Sequence, residues 1–371
     1  MHFRLGQKII DKLRRKKTSA IRAFQKKNKL LLPKDFDLNK LQINIDGENN
    51  VIKITKRQKY LSCNNIRAGF NFYRSNKISA CCYTVEDKLI ISNIEDYTNL
   101  EDIVKDIEDF QNKLIEKHKK GNHPQCCKEC TNLKLAYWSD KVDKKFSWIP
   151  LNHYKICNLK CVHCGYRNSD DKEKDSNHEL VLKVIDVLSK KNKLDKDVTI
   201  AIGGGEPSIN KGIDKIIQYC LDKKYHMLIN SNGAKYSELI AEGVNRGLIH
   251  LDLTPDAGSK DVYAKIKGVD CFDTTWANIK KYIETTEGKA NIKFIIEAGN
   301  SDDVENMIKM LKSVDAKHVS LSFDLNIKKE DYEKYRDPIN KFIDLCKKEA
   351  INVVVNSFVP QQLIEKREEQ V

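Results

Sequence analysis

The chain has no apolar run approaching the roughly 18 residues that a membrane-spanning helix needs. Its basic start has no apolar segment behind it, so it does not read as a secretory signal, and the expected location is cytoplasmic. It has no strict internal repeat and no low-complexity segment. Beyond its first 29 residues it also has little net charge. Residues 1–29 hold eleven Lys or Arg against one Asp, which is +10 of the overall +13. The remainder, at +3, does not argue for a groove that tracks nucleic-acid phosphates. What is present is a 40% hydrophobic chain of 371 residues, enough for two ordinary domains.

Residues 1–33 read as a basic amphipathic helix, with Leu5, Ile9, Leu13, Ala20 and Phe24 near one face and Pro33 at its end. Residues 34–140 read as a small β-rich domain closed by a helix. "LQINID" and "VIKITK" flank the turn "GENN" as a hairpin, and short strands follow near Phe70–Tyr73, Ile78–Tyr83 and Lys88–Ser92. In the closing helix Leu100, Ile103, Val104, Ile107, Phe110 and Leu114 recur at helical spacing, with a capping box expected from Thr98 and Glu101.

From residue 145 strands and helices alternate. "FSWIPLN", "VTIAIG", "YHMLIN", "GLIHLDL", "NIKFIIEA" and "HVSLSFD" are strand-like, and "INVVVNSF" lies near the C-terminus. Repeated β–α units imply a parallel sheet with helices outside it. The expected fold is α/β: a partial (β/α)6 parallel barrel over 145–330, a smaller β-rich N-terminal domain, and a helix and strand over 331–371. Ligands in such folds sit beyond the C-terminal ends of the strands.

There are 12 cysteines, and most of them cluster. In a lysine-rich chain with no export signal, clustered cysteines favour metal over disulfides. Cys220, Cys271 and Cys346 are scattered and read as core thiols. "KICNLKCVHCGYR" follows the first barrel strand and carries Cys157, Cys161 and Cys164 in the spacing C-x3-C-x2-C. Thiolates are the usual ligands of iron–sulfur clusters. On a [4Fe–4S] cube three of them hold three irons and leave the fourth open to a chelating amine and carboxylate. A zinc site with a fourth ligand elsewhere, His163 for instance, is the plainer reading of the loop alone.

This loop resembles that of the radical S-adenosylmethionine (SAM) superfamily, and the next strand ends extend the likeness. "AIGGGEPSIN" matches the family's GGEP motif at Gly204, Gly205, Glu206 and Pro207. "LINSNG" matches a family turn at Asn232 and Gly233, and "LDLTPDAGSKDVYAKIKG" and "IIEAGN" resemble the segments after the fourth and fifth strands. The resemblance covers residues 145–330. It implies an enzyme whose reduced [4Fe–4S] cluster cleaves SAM to a 5′-deoxyadenosyl radical, which abstracts hydrogen from a substrate. It assigns Cys157, Cys161 and Cys164 to the cluster, and Gly204, Gly205 and Glu206 to SAM. Asn232 stands at the family's turn, His163 near adenine, Thr254 and Asp256 at the ribose, and Lys267 at the SAM carboxylate or the substrate. Glu297 and Asn300 point toward the site, and a flavodoxin or ferredoxin is the expected electron donor.

The earlier cysteines leave more than one reading open. Cys127 and Cys130 form C-x2-C, and Cys63 with Cys81 or Cys82 would complete four thiolates; the set Cys63, Cys82, Cys127 and Cys130 is the one expected here. The pattern resembles SPASM-type auxiliary-cluster domains, except that those follow the barrel. A second [4Fe–4S] cluster, a structural zinc and unligated thiols all fit. An auxiliary cluster would favour a peptide or protein substrate over a sugar or nucleotide-sugar. From another class, a zinc-containing protein that binds nucleic acid or a membrane surface rests only on the basic first helix.

Overall fold

The structure, a computed structural model, describes residues 41–46, 51–56, 59–81, 89–128, 130, 132–138, 142–143, 145–165 and 175–364. The basic segment 1–33 and Cys82 lie outside these.

The strands are β1 (Leu41–Asp46), β2 (Val51–Lys56), β3 (Tyr60–Ser62), β4 (Asn71–Tyr73), β5 (Lys77–Ser79), β6 (Ile90–Asn93), β7 (Lys134–Ala136), β8 (Phe146–Asn152), β9 (Leu194–Ile202), β10 (His226–Ser231), β11 (Ile249–Leu253), β12 (Asn291–Ile296), β13 (His318–Phe323) and β14 (Asn352–Val355). The helices are α1 (Asn64–Ala68), α2 (Asp102–Lys119), α3 (His178–Lys190), α4 (Lys211–Lys223), α5 (Glu238–Asn245), α6 (Lys260–Lys267), α7 (Phe272–Thr285), α8 (Val304–Ser313) and α9 (Arg336–Lys348).

Strands β8 to β14 lie in sequence order, each parallel to the next. Every helix between them buries one stripe; α4, for example, buries Ile213, Ile216, Ile217, Cys220 and Leu221. Apolar strand residues such as Ile149, Leu151, Ile200, Ile202, Ile229 and Leu251 are fully buried. The result is an open, largely parallel α/β sheet of the partial-barrel kind. "INVVVNSF" supplies a seventh parallel strand, β14, rather than a separate tail.

The N-terminal strands do not stand apart from this sheet. β4 pairs parallel with β8 through Phe72–Leu151 and Tyr73–Asn152, and β5 and β6 continue antiparallel, giving ten strands in all. Gly69 makes the join close: a Cβ there would lie 2.3 Å from Trp148 O. The hairpin β1–β2 forms as its turn signals require. The capping box does not. Helix α2 begins at Asp102, its cap residue Glu101 makes no side-chain cap bond, and Asn99 Oδ1 accepts from Glu101 N at 3.1 Å. The Asn side chain, two residues back, reaches the amide that the box would have used. Elsewhere the caps are ordinary: Asn177 Oδ1 accepts from Glu179 N and Leu180 N, and Asn210 Oδ1 from Gly212 N.

Among the described residues no helix is long and apolar enough to cross a membrane. Cys220 and Cys346 are fully buried core thiols. Cys271 is half-buried at the start of α7, its Sγ 3.3 Å from Tyr263 Oη.

Candidate active site

The chain leaves β8 at Asn152 and enters the loop that carries Cys157, Cys161 and Cys164. This is the C-terminal end of the first strand of the parallel series, where the topology places ligands. The ends of two neighbouring strands and of one helix hold the loop in place.

The turn after β9 presses directly on it. A Cβ on Gly204 would lie 2.3 Å from Tyr154 O, and one on Gly205 would lie 2.2 Å from Ile156 O. Gly204 also has φ +96°, a left-handed conformation that side chains disfavour. Glu206 N donates to Ile156 O at 2.8 Å and closes the contact. The carboxylate of Glu206 then turns inward. Its Oε1 accepts from Ser208 N, Ser208 Oγ and Ser231 Oγ, and its Oε2 accepts from Asn232 N at 2.7 Å. Burial pushes its pKa up, and these four donors oppose that shift. Glu206 therefore ties the end of β9 to the end of β10.

Asn232, just past β10, faces the loop. Its Nδ2 donates to Asn158 Oδ1 at 2.9 Å and lies 3.7 Å from Cys157 Sγ. Leu159 N also donates to Cys157 Sγ, at 3.4 Å.

The end of α6 forms the third support. Lys160 N donates to Lys267 O at 2.8 Å and Val162 N to Ile266 O at 2.9 Å, so the amides on both sides of Cys161 occupy helix-end carbonyls. Lys267 is 2% exposed and is not a solvated lysine. Its Nζ donates to Asp256 Oδ2 at 2.5 Å and to Thr254 O at 2.8 Å. Burial works against the ammonium, but the charge of Asp256 and the neighbouring Cys161 hold its pKa up. Asp256, 1% exposed, also accepts from Ile295 N at 3.1 Å. Thr254 Oγ1 donates to Ser231 O at 3.2 Å. The hydroxyl and carboxylate expected at a ribose are thus engaged inside the protein, because a carboxylate this buried requires its cation.

His163 precedes Cys164, and its Nδ1 lies 2.8 Å from Glu297 Oε2, past the end of β12. Glu297 Oε1 is buried with no partner. Glu297 N donates to Asn300 Oδ1 at 2.9 Å, and Asn300 Nδ2 donates to Asp256 O and Ile295 O. Asn326 Nδ2 reaches His163 O at 3.5 Å. A pocket of about 550 Å³ opens beside this pair, lined in part by Val162, Glu297, Asp324, Lys328, Asp331 and Tyr335. A larger groove of about 1100 Å³ runs along α2 past Phe110 and Leu114, away from these thiols.

Burial pushes the Cys157 thiol up and the Cys161 thiol to about 11, and each feels the charge of Cys164. Thiols such as Cys157 and Cys161, whose ionisation is opposed by burial, suit a cationic group that would hold them as thiolates. Among the described residues no three His, Cys, Asp or Glu side chains converge as ligands of one ion do. His163, the fourth ligand that a zinc ion would need from this loop, has its Nδ1 paired with Glu297.

The sequence reading did not include the backbone carbonyls of Tyr154 and Ile156, nor the amides of Lys160 and Val162, since no residue type announces a backbone contact. It also passed over His153 and His178, which sit below the loop with His153 Nε2 2.9 Å from His178 Nδ1. Of the N-terminal cysteines, Cys63, Cys81, Cys126, Cys127 and Cys130 pack in or around one small apolar cluster or act electrostatically on its members.

Residues 151–311 match the sequence profile of the Radical SAM superfamily. A protein of Methanocaldococcus jannaschii named as a glycyl-radical enzyme activating enzyme is 26% identical over 189 residues, covering 48% of this chain and 70% of its own. A Saccharolobus islandicus protein named as a GTP 3′,8-cyclase is 24% identical over 174 residues, covering 47% of this chain and 54% of its own. The solved structure of Streptococcus suis SuiB bound to S-adenosylmethionine aligns with a TM-score of 0.47 and 16% identity, covering 70% of this chain and 57% of that one. The chain therefore spans little more than half the length of the cyclase and of SuiB.

Proposed function

Residues 151–311 form a radical SAM domain, and on that premise we propose that this chain cleaves SAM reductively and abstracts hydrogen from a peptide or protein substrate. The observation that carries the reading is the seating of the Gly204–Gly205 turn against the carbonyls of the three-cysteine loop, at the ends of two adjacent parallel strands.

Cys157, Cys161 and Cys164 are the residues that would hold a [4Fe–4S] cluster, leaving one iron for the amine and carboxylate of SAM. Cluster and SAM together supply a 5′-deoxyadenosyl radical when an electron arrives, and a flavodoxin or ferredoxin is the proposed donor. The chain's own residues set the geometry. The glycine turn gives backbone close approach, with no side chain in the way. Asn232 steadies Cys157. The Lys267–Asp256 pair and the end of α6 fix Cys161 from below. His163, paired with Glu297, is the residue proposed to lie beside adenine.

The mouth of the site supports a peptide over a nucleotide. Ile156, Val162 and Leu325 are exposed large aliphatics on the loops after β8 and β13, and an apolar rim suits a peptide or protein surface. Glu297, Asp324 and Asp331 line the adjoining pocket against Lys265 and Lys328, a balance that does not favour phosphate groups. The related activating enzyme is named for action on another enzyme; the related cyclase, named for GTP, supports the nucleotide alternative.

The test is anaerobic reconstitution, reduction with dithionite, and measurement of 5′-deoxyadenosine. Release above the no-enzyme background, absent in Cys157→Ala, is expected. Equal release by Cys157→Ala would overturn the assignment.

A further inference from the structure

We propose that Asp252 and Lys293, on the sheet face turned away from the helices, hold the side-chain carboxamide of an Asn or Gln in the substrate. This rests on the peptide reading above and names the residue type that such a peptide would carry.

Alternate residues of a strand face opposite sides of the sheet. Leu251 and Leu253 of β11, Ile292 and Phe294 of β12, and Val319 and Leu321 of β13 are buried in the core with the helices. Asp252, Lys293 and Ser320 alternate with them and lie on the other face. A barrel interior packed for stability carries branched aliphatic side chains there. This face carries a carboxylate and an ammonium instead, with side chains only 13% and 16% exposed.

The two groups are not closed on each other. Asp252 Oδ1 accepts from Asn291 Nδ2 at 2.7 Å and lies 3.1 Å from His250 Nε2. Asn291 Nδ2 also reaches Ser320 Oγ at 2.8 Å, so one side of the acid is fixed. Asp252 Oδ2 stands 4.0 Å from Lys293 Nζ, beyond hydrogen-bond reach. Lys293 Nζ donates to no group among the described residues. Lys267 is the contrast: its Nζ is engaged by Asp256 Oδ2 and Thr254 O. Burial opposes the charge of Asp252, but His250, Asn291 and Lys293 hold its pKa below the ordinary carboxylate range. Its free oxygen is therefore a charged acceptor.

The register places the pair under the catalytic loop. Leu151, Ile202 and Ile229 share one row of the sheet. The next row holds Asn152, where the chain leaves for the cysteine loop, with Asn230, Asp252 and Asn291. Thr254, the next residue of this face after Asp252, is about 7 Å farther on by strand rise. Its carbonyl accepts from Lys267 Nζ, in the support of Cys161. A cavity of about 490 Å³, lined in part by Thr199, Leu228 and His250, opens on the same face.

An ammonium beside a free carboxylate oxygen calls for an acceptor and a donor on neighbouring atoms. A carboxamide has both. A substrate carboxylate would face Asp252 with like charge, and a substrate ammonium would face Lys293. An aliphatic side chain would leave both groups unpaired. The trans main-chain amide, with its N–H and C=O on opposite sides, reaches only one of them.

The test is affinity selection from short synthetic peptides of random sequence, with the reconstituted protein and SAM and with mass spectrometry of what is retained. Wild type is expected to retain Asn and Gln peptides about tenfold over their Asp and Glu counterparts, the size of one hydrogen bond to a charged group. Lys293→Met should remove this preference. Asp252→Asn should reverse it: the amide oxygen stays toward Asn291 and His250, and the new N–H₂ stands beside Lys293 as a second donor, which suits a carboxylate. A variant that merely misfolds cannot produce that reversal. No retention of any peptide by wild type, equal retention of amide and acid peptides, or an unchanged ranking in Asp252→Asn would overturn the proposal. Retention needs no SAM cleavage, so 5′-deoxyadenosine measured in parallel reports on the earlier reading separately. Release without an amide preference would sink this inference alone.

Discussion

At Gly205 a single methyl group separates a working contact from a collision. Its Cβ would meet Ile156 O at 2.2 Å, and that oxygen is backbone, which cannot swing aside. Gly165, just past Cys164, has nothing within 4 Å of the same added carbon. Gly205→Ala should therefore weaken SAM binding about tenfold or more, by displacing the loop rather than by unfolding it. Gly165→Ala should leave it unchanged. Calorimetric titration with SAM reads both, and equal affinities for the two variants would refute the seating argument. Lys267 and Asp256 show the other residue-scale effect. Each is buried because the other is there, so their polar atoms serve the architecture of the loop before any ligand arrives.

Between residue and fold, the end of β8 and the start of α3 are joined by two imidazoles. Asn210 Nδ2 lies 3.1 Å from His178 Nε2, so that nitrogen accepts and the proton of His178 sits on Nδ1. His178 Nδ1 then donates to His153 Nε2, and both rings are neutral. Burial, with His178 beside it, lowers the pKa of His153 to about 3 from an ordinary 6.5. The unfolded chain thus binds a proton that the native chain refuses. This contribution to stability is complete above about pH 6.5 and is lost progressively as pH falls toward 3. Urea midpoints should fall across that window, and His153→Phe should flatten the slope. An unchanged slope in the variant would remove His153 as the cause.

At the scale of the whole molecule, a small apolar cluster of eight buried residues in the N-terminal part stands beside the large core of the parallel strands. Amides that depend on the small cluster, such as those around Leu114 and Ile115, should exchange sooner than those of β9 to β13, whose core is the large one, and equal protection in a hydrogen-exchange measurement would refute this. Much of this design is legible in the sequence because its causes are local. Alternating apolar runs specify the parallel strands, periodic stripes specify the helices, and the spacing C-x3-C-x2-C followed by a glycine turn specifies a three-thiolate loop. Other features are not legible because they depend on which distant groups meet. No sequence pattern tells that β4 pairs with β8, that Glu206 reaches Ser231 and Asn232, or that Lys267 is buried on Asp256. Side-chain burial and backbone-to-backbone contact are set by the packing of segments far apart in the chain, and only the tertiary structure decides them.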